Sequence, residues 1–279
     1  THWWDYGHMT TAIAERRAVT DGGNLMSWNH ASGRYFLTGK DKTSTLEYLA
    51  SHSINYTLIS SQEIGKYYAF SLIGSDDNLD RLSTLGFFGM QNKREARDGD
   101  LIAYGGQWTL DADMQVGDAI LARGDAQING FTILVKDNKI SEVKAYLVNK
   151  GQQLTRDISC MYVHKYDSAS QRFIYGKRTS FAKTSDTIDG CLVIVPFVQD
   201  GQVSDQGAAF WLSGKVWDTN FARLYMYGEA DENFLLVYSD TLPLGFYNGQ
   251  PIGPIKIWEV QYPAGVKTDP KYLEPSPHG

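Results

Sequence analysis

Cysteine is nearly missing from this chain: Cys160 and Cys191 are the only two among 279 residues. Their spacing fits no metal-binding pattern, so both a disulfide in an oxidising compartment and a pair of buried free thiols stay open. Basic excess is also missing. Lys and Arg number 26 against 32 Asp and Glu, a formal net charge of −6, and the pI is near 5.5. That balance argues against nucleic acid or an anionic membrane surface as the main partner. No apolar run reaches the roughly 18 residues a spanning helix needs, and there is neither a signal peptide nor an initiator Met. A chain that opens on Thr1 is expected to be a piece of something longer. There is no internal repeat, no low-complexity tract and no motif for a Ser/His/Asp or Cys/His triad. His2, His30, His52, His164 and His278 show no ligand spacing. Asp76-Asp77 and Asp98-Gly99-Asp100 read as loop and cap carboxylates.

What is present is a globular composition: 42% hydrophobic and 21% charged, long enough for one large domain or two moderate ones. Aromatics reach 13%, with 17 Tyr, which favours β-rich packing and contact with sugar or peptide. Met9 to Arg17 has helical composition with basic residues in its last turn. Gly22 and Gly23 mark a loop carrying Asn24, Trp28, Asn29 and His30. Ser44-Thr45-Leu46-Glu47 reads as a capping box opening a helix to about Ser51, and Ile54 to Ile59 reads as a strand. Glu63 to Ile73 is open between helix and strand. Asp76 to Leu85 reads as a short helix stopped by Gly86.

Beyond about residue 100 the period changes. Strands are expected at Phe131–Val135, Glu142–Val148, Cys160–Tyr166, Arg172–Gly176 and Leu192–Val198, separated by turns at 136–139, Asp167–Ser170 and Asp200-Gly201. Helix-like periodicity returns over Trp217–Tyr227, followed by strands at Phe234–Tyr238 and Ile255–Val260. The expected fold is mixed α/β (α+β), with a discontinuous α/β central core (1–110 and 205–265) and an inserted antiparallel β-rich unit (111–204). The Pro-rich tail 266–279, with Pro270, Pro275 and Pro277, is expected to fray.

The most informative stretch is Trp3-Trp4-Asp5-Tyr6-Gly7. Two adjacent indoles and a carboxylate can form an apolar wall holding one strong acceptor, suited to gripping a short side chain that bears a hydroxyl. Asp5 would accept the hydroxyl proton and the indole N–H groups of Trp3 and Trp4 would donate to its oxygen. Such a charged hydrogen bond contributes about 1.5–3 kcal/mol, whereas the extra methyl of Thr over Ser adds at most about 0.8 kcal/mol. Tyr6 and Gly7 are expected to fix the turn, Gly7 by permitting a backbone bend. The ordinary alternatives are an N-cap for Asp5, core packing for the indoles, and solvated side chains for Lys66 and His8.

These residues resemble the signature of the catalytic subunit of oligosaccharyltransferase, the family that transfers a lipid-linked glycan to the Asn of Asn-X-Ser/Thr. A second family motif, Asp-x-x-Lys-x-x-x-Met/Ile, is similar to Glu63-Ile64-Gly65-Lys66-Tyr67-Tyr68-Ala69-Phe70. Here the lysine matches, while Glu63 and Phe70 depart from the pattern. Phe221–Tyr225, Leu236–Tyr238 and Ile255–Glu259 resemble the end of the family's central core. His8 after the glycine looks archaeal.

The resemblance implies a C-terminal globular domain that binds the acceptor polypeptide through Trp3, Trp4, Asp5, Tyr6, Gly7, Glu63, Lys66 and Phe70. Helical spacing would set Glu63, Lys66 and Phe70 on one face, with Glu63 as charge partner of Lys66 and Phe70 narrowing the pocket near the Thr methyl. His8 would donate to the pyrophosphate of the lipid-linked (dolichyl) oligosaccharide donor. The resemblance also implies an extracytoplasmic position, attached to the chain's own N-terminal transmembrane region. That region would bind the divalent metal, Mn2+ or Mg2+, so this chain by itself is expected to hold no metal and no catalytic residue. The rival reading is a secreted carbohydrate-binding β domain with aromatic side chains exposed on its sheet, far from Thr1.

Overall fold

The computed structural model describes residues 1–21, 23, 26–116, 119–137, 139–199, 202–247 and 250–274. Gly22, Asn24, Asn138, the Asp200-Gly201 turn, Pro275, Pro277 and His278 lie outside the described residues. The fold is mixed α+β. It divides into one compact unit of Thr1–Thr84, Asp218–Leu242 and Phe246–Gly279, and a second of Leu85–Trp217 with Pro243–Gly245. The boundaries expected at 110/111 and 204/205 fall within the second of these units.

In the first unit, helices α1 (Met26–Ala31), α2 (Lys42–Ser51) and α3 (Gln62–Ile73) accompany a three-stranded antiparallel sheet. The strand Lys256–Val260 lies between Tyr56–Ile59 and Phe234–Ser239. Its alternation buries Lys256, Trp258 and Val260, opposite buried Thr57 and Ile59 on the neighbouring strand. Helix α1 runs directly into a π-helical turn, Ser32–Leu37, which ends where both the backbone N–H and the hydroxyl of Thr38 donate to the Gly33 carbonyl at 2.8 Å. Gly33 is required there because a Cβ would come within 2.7 Å of the Phe70 carbonyl on α3. A second π-helical segment, Phe221–Tyr227, ends at Gly228 with φ +65°, the left-handed stop that glycine adopts freely.

Several local expectations need correction. Trp28, Asn29 and His30 are on α1, not in a loop. Helix α2 starts earlier than Ser44, because the Asp41 carboxylate accepts the Ser44 backbone N–H at 2.7 Å and caps the helix. Met9–Arg17 forms only one π-helical turn, Met9–Ile13. Asp76–Leu85 is not a helix. Asp80 accepts the Asp76 N–H and a bond from Arg34, Arg34 also pairs with Asp76, and Leu79 takes φ +56°. These side-chain bonds hold the backbone in turns. The proline-containing end does not fray over its described part, since Tyr272 is buried, edge-on to Tyr35 with ring centroids 4.9 Å apart.

The second unit is a closed barrel of seven strands: Gln152–Val163, Lys139–Asn149, Ala126–Lys136, Gly99–Thr109, Gly86–Ala96, Gln202–Ser213 and Thr187–Gln199. Six neighbouring pairs are antiparallel and the seventh, closing Thr187–Gln199 onto Gln152–Val163, is parallel. An odd number of alternating strands cannot close any other way, so the purely antiparallel unit expected from the sequence is corrected at this seam. Cys160 and Cys191 face each other across the seam and form a disulfide, which settles the open alternative. Inside, Phe88, Phe131 and Trp211 meet ring to ring, Phe88 to Phe131 at 4.8 Å and Phe131 to Trp211 at 5.4 Å. Side chains fill the interior, as is usual for small barrels.

Candidate functional site

The pentad is tied to α3. Thr1 extends the sheet edge, its carbonyl accepting from the Leu58 backbone N–H at 2.9 Å. The chain then turns through a 3₁₀ helix, Trp4–Tyr6, stacked against the start of α3. Asp5 and Lys66 form an ion pair, with 24% of the Asp5 side chain and 32% of the Lys66 side chain exposed. The Lys66 ammonium also donates to the Gln62 carboxamide oxygen at 3.2 Å and lies 5.3 Å from the centre of the Tyr6 ring. The Tyr6 hydroxyl contacts Ser60 Oγ at 2.9 Å and Gln62 Oε1 at 3.1 Å. Asp5, Tyr6, Ser60, Gln62 and Lys66 thus form one connected polar cluster on the surface of the first unit.

The other predicted residues are placed differently. Trp3 is 2% exposed and packs edge-on against Phe70, with centroids 5.7 Å apart. Phe70 is itself fully buried, in contact with Tyr67 and Phe221. Both face the aromatic core, so neither lines an open cleft in this structure. Trp4 is half-buried beside Asp5. Gly7 has φ −56° and ψ −46°, a helical conformation open to any residue, so the special bend expected of it is not present. His8 is exposed at the start of the turn Met9–Ile13.

Glu63 does not serve as the ion-pair partner of Lys66. It is 0% exposed, and its Oε2 accepts the Ser60 backbone N–H at 2.9 Å and contacts the Ser60 hydroxyl at 2.8 Å. The backbone bond is half of a capping box, in which a Glu reaches back to the residue that opens the helix. Burial raises the Glu63 carboxyl above its ordinary value, and the Ser60 hydrogen bonds and the Lys66 charge only partly oppose that. Burial likewise raises the Tyr6 phenol, with the Glu63 charge adding to it. His2, 4% exposed with Nδ1 2.7 Å from the Trp3 carbonyl oxygen, is pushed down to about 4 by burial and is neutral at pH 7. Ser60 and Gln62 were not singled out from the sequence. Their signal was the Ser-x-x-Glu spacing of Ser60 and Glu63, and the i, i+4 relation of Gln62 to Lys66.

Among the described residues, no group of three or more His, Cys, Asp or Glu side chains is placed to hold a metal ion. What the cluster can do is bind a small polar group. A carboxylate beside an ammonium offers an acceptor and a donor to a hydroxyl, which needs one of each.

No protein-family model matches the chain, and no curated protein matches it. Among solved structures it is similar to the C-terminal globular domain of an oligosaccharyltransferase from Pyrococcus abyssi, at 14% identity and a TM-score of 0.42. The match covers 94% of this chain and 46% of that one, so this chain spans less than half of its length. A likeness at that score carries no weight here, and the functional reading rests on the side chains.

Proposed function

We propose that this chain is the acceptor-recognising globular domain of an oligosaccharyltransferase, holding the Ser or Thr of Asn-X-Ser/Thr at the Asp5–Lys66 pair. One observation carries the reading: the acid of the Trp-Trp-Asp-Tyr-Gly stretch meets the lysine of the second motif, 61 positions away in the chain. A ligand hydroxyl inserted between them donates to Asp5 and accepts from Lys66. Opening a partly exposed ion pair costs little, because such pairs contribute only about 0–1 kcal/mol. The inserted hydroxyl gains hydrogen bonds to charged partners, each about 1.5–3 kcal/mol. Trp4, half-buried and next to Asp5 in the chain, would supply the apolar contact for the Thr methyl.

The rest of the reaction lies outside this chain. Its own transmembrane region would hold Mn2+ or Mg2+ and the carboxylates that activate the acceptor amide. Exposed His8 would donate to the pyrophosphate of the dolichyl-linked donor. The domain would stand on the extracytoplasmic side of the membrane.

The test is a titration of the chain with two short peptides, Asn-Ala-Thr and Asn-Ala-Ala, followed by NMR. The Thr peptide is expected to shift the Asp5 and Lys66 side-chain signals and to bind about tenfold or more tighter. Equal binding of the two peptides would end the proposal. In the full-length enzyme Asp5→Ala is expected to abolish transfer to Asn-X-Thr peptides, and near-normal transfer would count against the assignment. The chain alone, given metal, donor and peptide, is expected to form no glycopeptide.

The carbohydrate-binding reading has one observation in its favour: Tyr56 and Tyr238 are 53% and 51% exposed on the three-stranded sheet. Tyr56 lies beside Thr1, however, its carbonyl taking a hydrogen bond from the Thr1 nitrogen at 2.5 Å. Glycan binding that is lost in Tyr56→Ala and Tyr238→Ala but kept in Asp5→Ala would favour that reading.

A further inference from the structure

We infer that Gln62 is a ligand-contacting residue of this site, presenting its carboxamide N–H donors to a carbonyl oxygen of the bound peptide, and that Glu63 in its neutral form fixes it there. The inference rests on the acceptor-recognition reading for the identity of the ligand and on hydrogen-bond geometry for the rest.

Two donors determine the orientation of Gln62. An ammonium can only donate, so the carboxamide atom 3.2 Å from Lys66 Nζ must be the oxygen. The Tyr6 hydroxyl approaches that same oxygen at 3.1 Å. With its acceptor held on both sides, the amide turns its NH2 group away from Lys66 and Tyr6. Gln62 is exposed, and its NH2 group makes no hydrogen bond to protein among the described residues. A donor pair fixed in orientation at the edge of the Asp5–Lys66 pair complements a peptide carbonyl next to the residue whose hydroxyl occupies the pair.

Proton counting then assigns the state of Glu63. Three contacts run in line: Glu63 Oε2 to Ser60 Oγ at 2.8 Å, Ser60 Oγ to Tyr6 OH at 2.9 Å, and Tyr6 OH to Gln62 Oε1 at 3.1 Å. Ser60 and Tyr6 supply one proton each, which fills two of the three. The Gln62 end cannot supply the third, because its oxygen faces the chain. The remaining source is the Glu63 carboxyl, donating to Ser60, which donates to Tyr6, which donates to Gln62. If Glu63 were ionised, its Oε2 would take the Ser60 proton and the single Tyr6 proton could fill only one of the two remaining contacts, leaving two oxygens facing each other at Ser60 or at Gln62. The backbone N–H groups of Ser60 and Gln62 donate to Glu63 Oε2 and Ser60 Oγ at 2.9 and 3.2 Å in either arrangement.

The surroundings agree. Glu63 is 0% exposed and its Oε1 has no hydrogen-bond partner among the described residues, a costly arrangement for a carboxylate and a cheaper one for an acid. Among the described residues, the charged and titratable groups that act on it are Lys66 on its own helix and Tyr6 on the N-terminal turn. The Lys66 charge is already matched by Asp5.

The test follows side-chain amide and carboxyl signals of the chain by NMR, without ligand and then with an Asn-Ala-Thr peptide. Without ligand, the Glu63 carboxyl carbon is expected to show a protonated acid at pH 7, and an ionised signal would overturn the relay. With peptide, the Gln62 NH2 signals are expected to move together with those of Lys66. Gln62→Glu keeps an oxygen for Lys66 and Tyr6 but removes the donors, and is expected to weaken peptide binding about tenfold. Glu63→Ala, which removes the donor to Ser60, is expected to weaken peptide binding, and Glu63→Gln, which supplies one, to restore it; equal binding by both variants would reject the positioning role of Glu63. Equal affinity of Gln62→Glu and the unaltered chain, with the Gln62 signals unmoved, would reject the Gln62 contact while leaving the Asp5–Lys66 site intact. Failure of the Thr peptide to shift any of these groups would reject the site and the contact together, and the ligand-free carboxyl signal would still decide the relay.

Discussion

Glu63 and Lys66 stand three residues apart on one helix and meet opposite surroundings. Lys66 reaches water and a carboxylate, whereas Glu63 turns back beneath Ser60 and loses all contact with solvent. Helical spacing correctly shows that such residues share a side of the helix. It does not show that a serine three residues upstream can draw one of them inside. A stability prediction follows from burial. The folded-state pKa of Glu63 is raised, so the folded chain holds its proton to higher pH than the unfolded chain does. The stability linked to that proton is fully present below the ordinary carboxylate range and is lost as pH rises through the folded pKa. Glu63→Gln removes this dependence. The variant is therefore expected to gain on the unaltered chain in urea midpoint between pH 5 and pH 8, and a difference independent of pH would contradict a raised pKa. Tyr6→Phe removes the hydroxyl linking Ser60 and Gln62 and is expected to cost about 0.5–1.5 kcal/mol by urea unfolding.

Elements with strong apolar periodicity were legible in the sequence, and elements governed by polar side chains were not. The strands Tyr56–Ile59 and Lys256–Val260 follow from alternation, because burial alternates along each of them. The barrel strands Gly86–Ala96, Gly99–Thr109 and Gln202–Ser213, by contrast, are not among those expected from the sequence pattern, and Gln152–Val163 and Gln202–Ser213 carry unbroken buried runs. Asp76 to Leu85 has three leucines at helical spacing, yet Arg34, brought in from residues far upstream, ties down Asp76 and Asp80 and prevents the helix. No local pattern contains that information. The π-helical segments are equally hidden: Phe221–Tyr227 reads as ordinary helix, and its wider turn accompanies the buried Lys256 ammonium, which donates to the Leu224 carbonyl at 3.3 Å. Helix α2 shows how a shift of a few residues changes which side chain matters. With Asp41 accepting the Ser44 N–H, Asp41→Ala is expected to cost about 1 kcal/mol, and Ser44→Ala less. Thermal unfolding of the two variants checks this, and the reverse order would restore Ser44 as the cap.

At the scale of the whole molecule, the pentad and the Glu63–Phe70 segment are short, local patterns, whereas barrel closure depends on parity over seven strands that no segment shows alone. Parity forces one parallel pair, and parallel pairing is slightly less stable per residue than antiparallel. The chain places its single disulfide on that pair, joining Cys160 to Cys191 across a sequence separation of 31. Closing a loop of that size restricts the unfolded chain by about 3–4 kcal/mol. A disulfide persists in oxidising compartments, in keeping with the extracytoplasmic placement proposed above. Both cysteines belong to the second compact unit, and the proposed Asp5–Lys66 site belongs entirely to the first. Reduction is therefore expected to act on one unit only. A calorimetric scan in a thiol reductant, or of the Cys160→Ala/Cys191→Ala double variant, should move the barrel's transition down by several degrees. The Lys66 side-chain signals and peptide affinity should meanwhile stay unchanged at 25 °C. If the barrel's transition did not move, the seam would be held by its hydrogen bonds and core alone; if peptide affinity fell with it, the two units would be energetically coupled and the site could not be treated as a property of the first unit by itself.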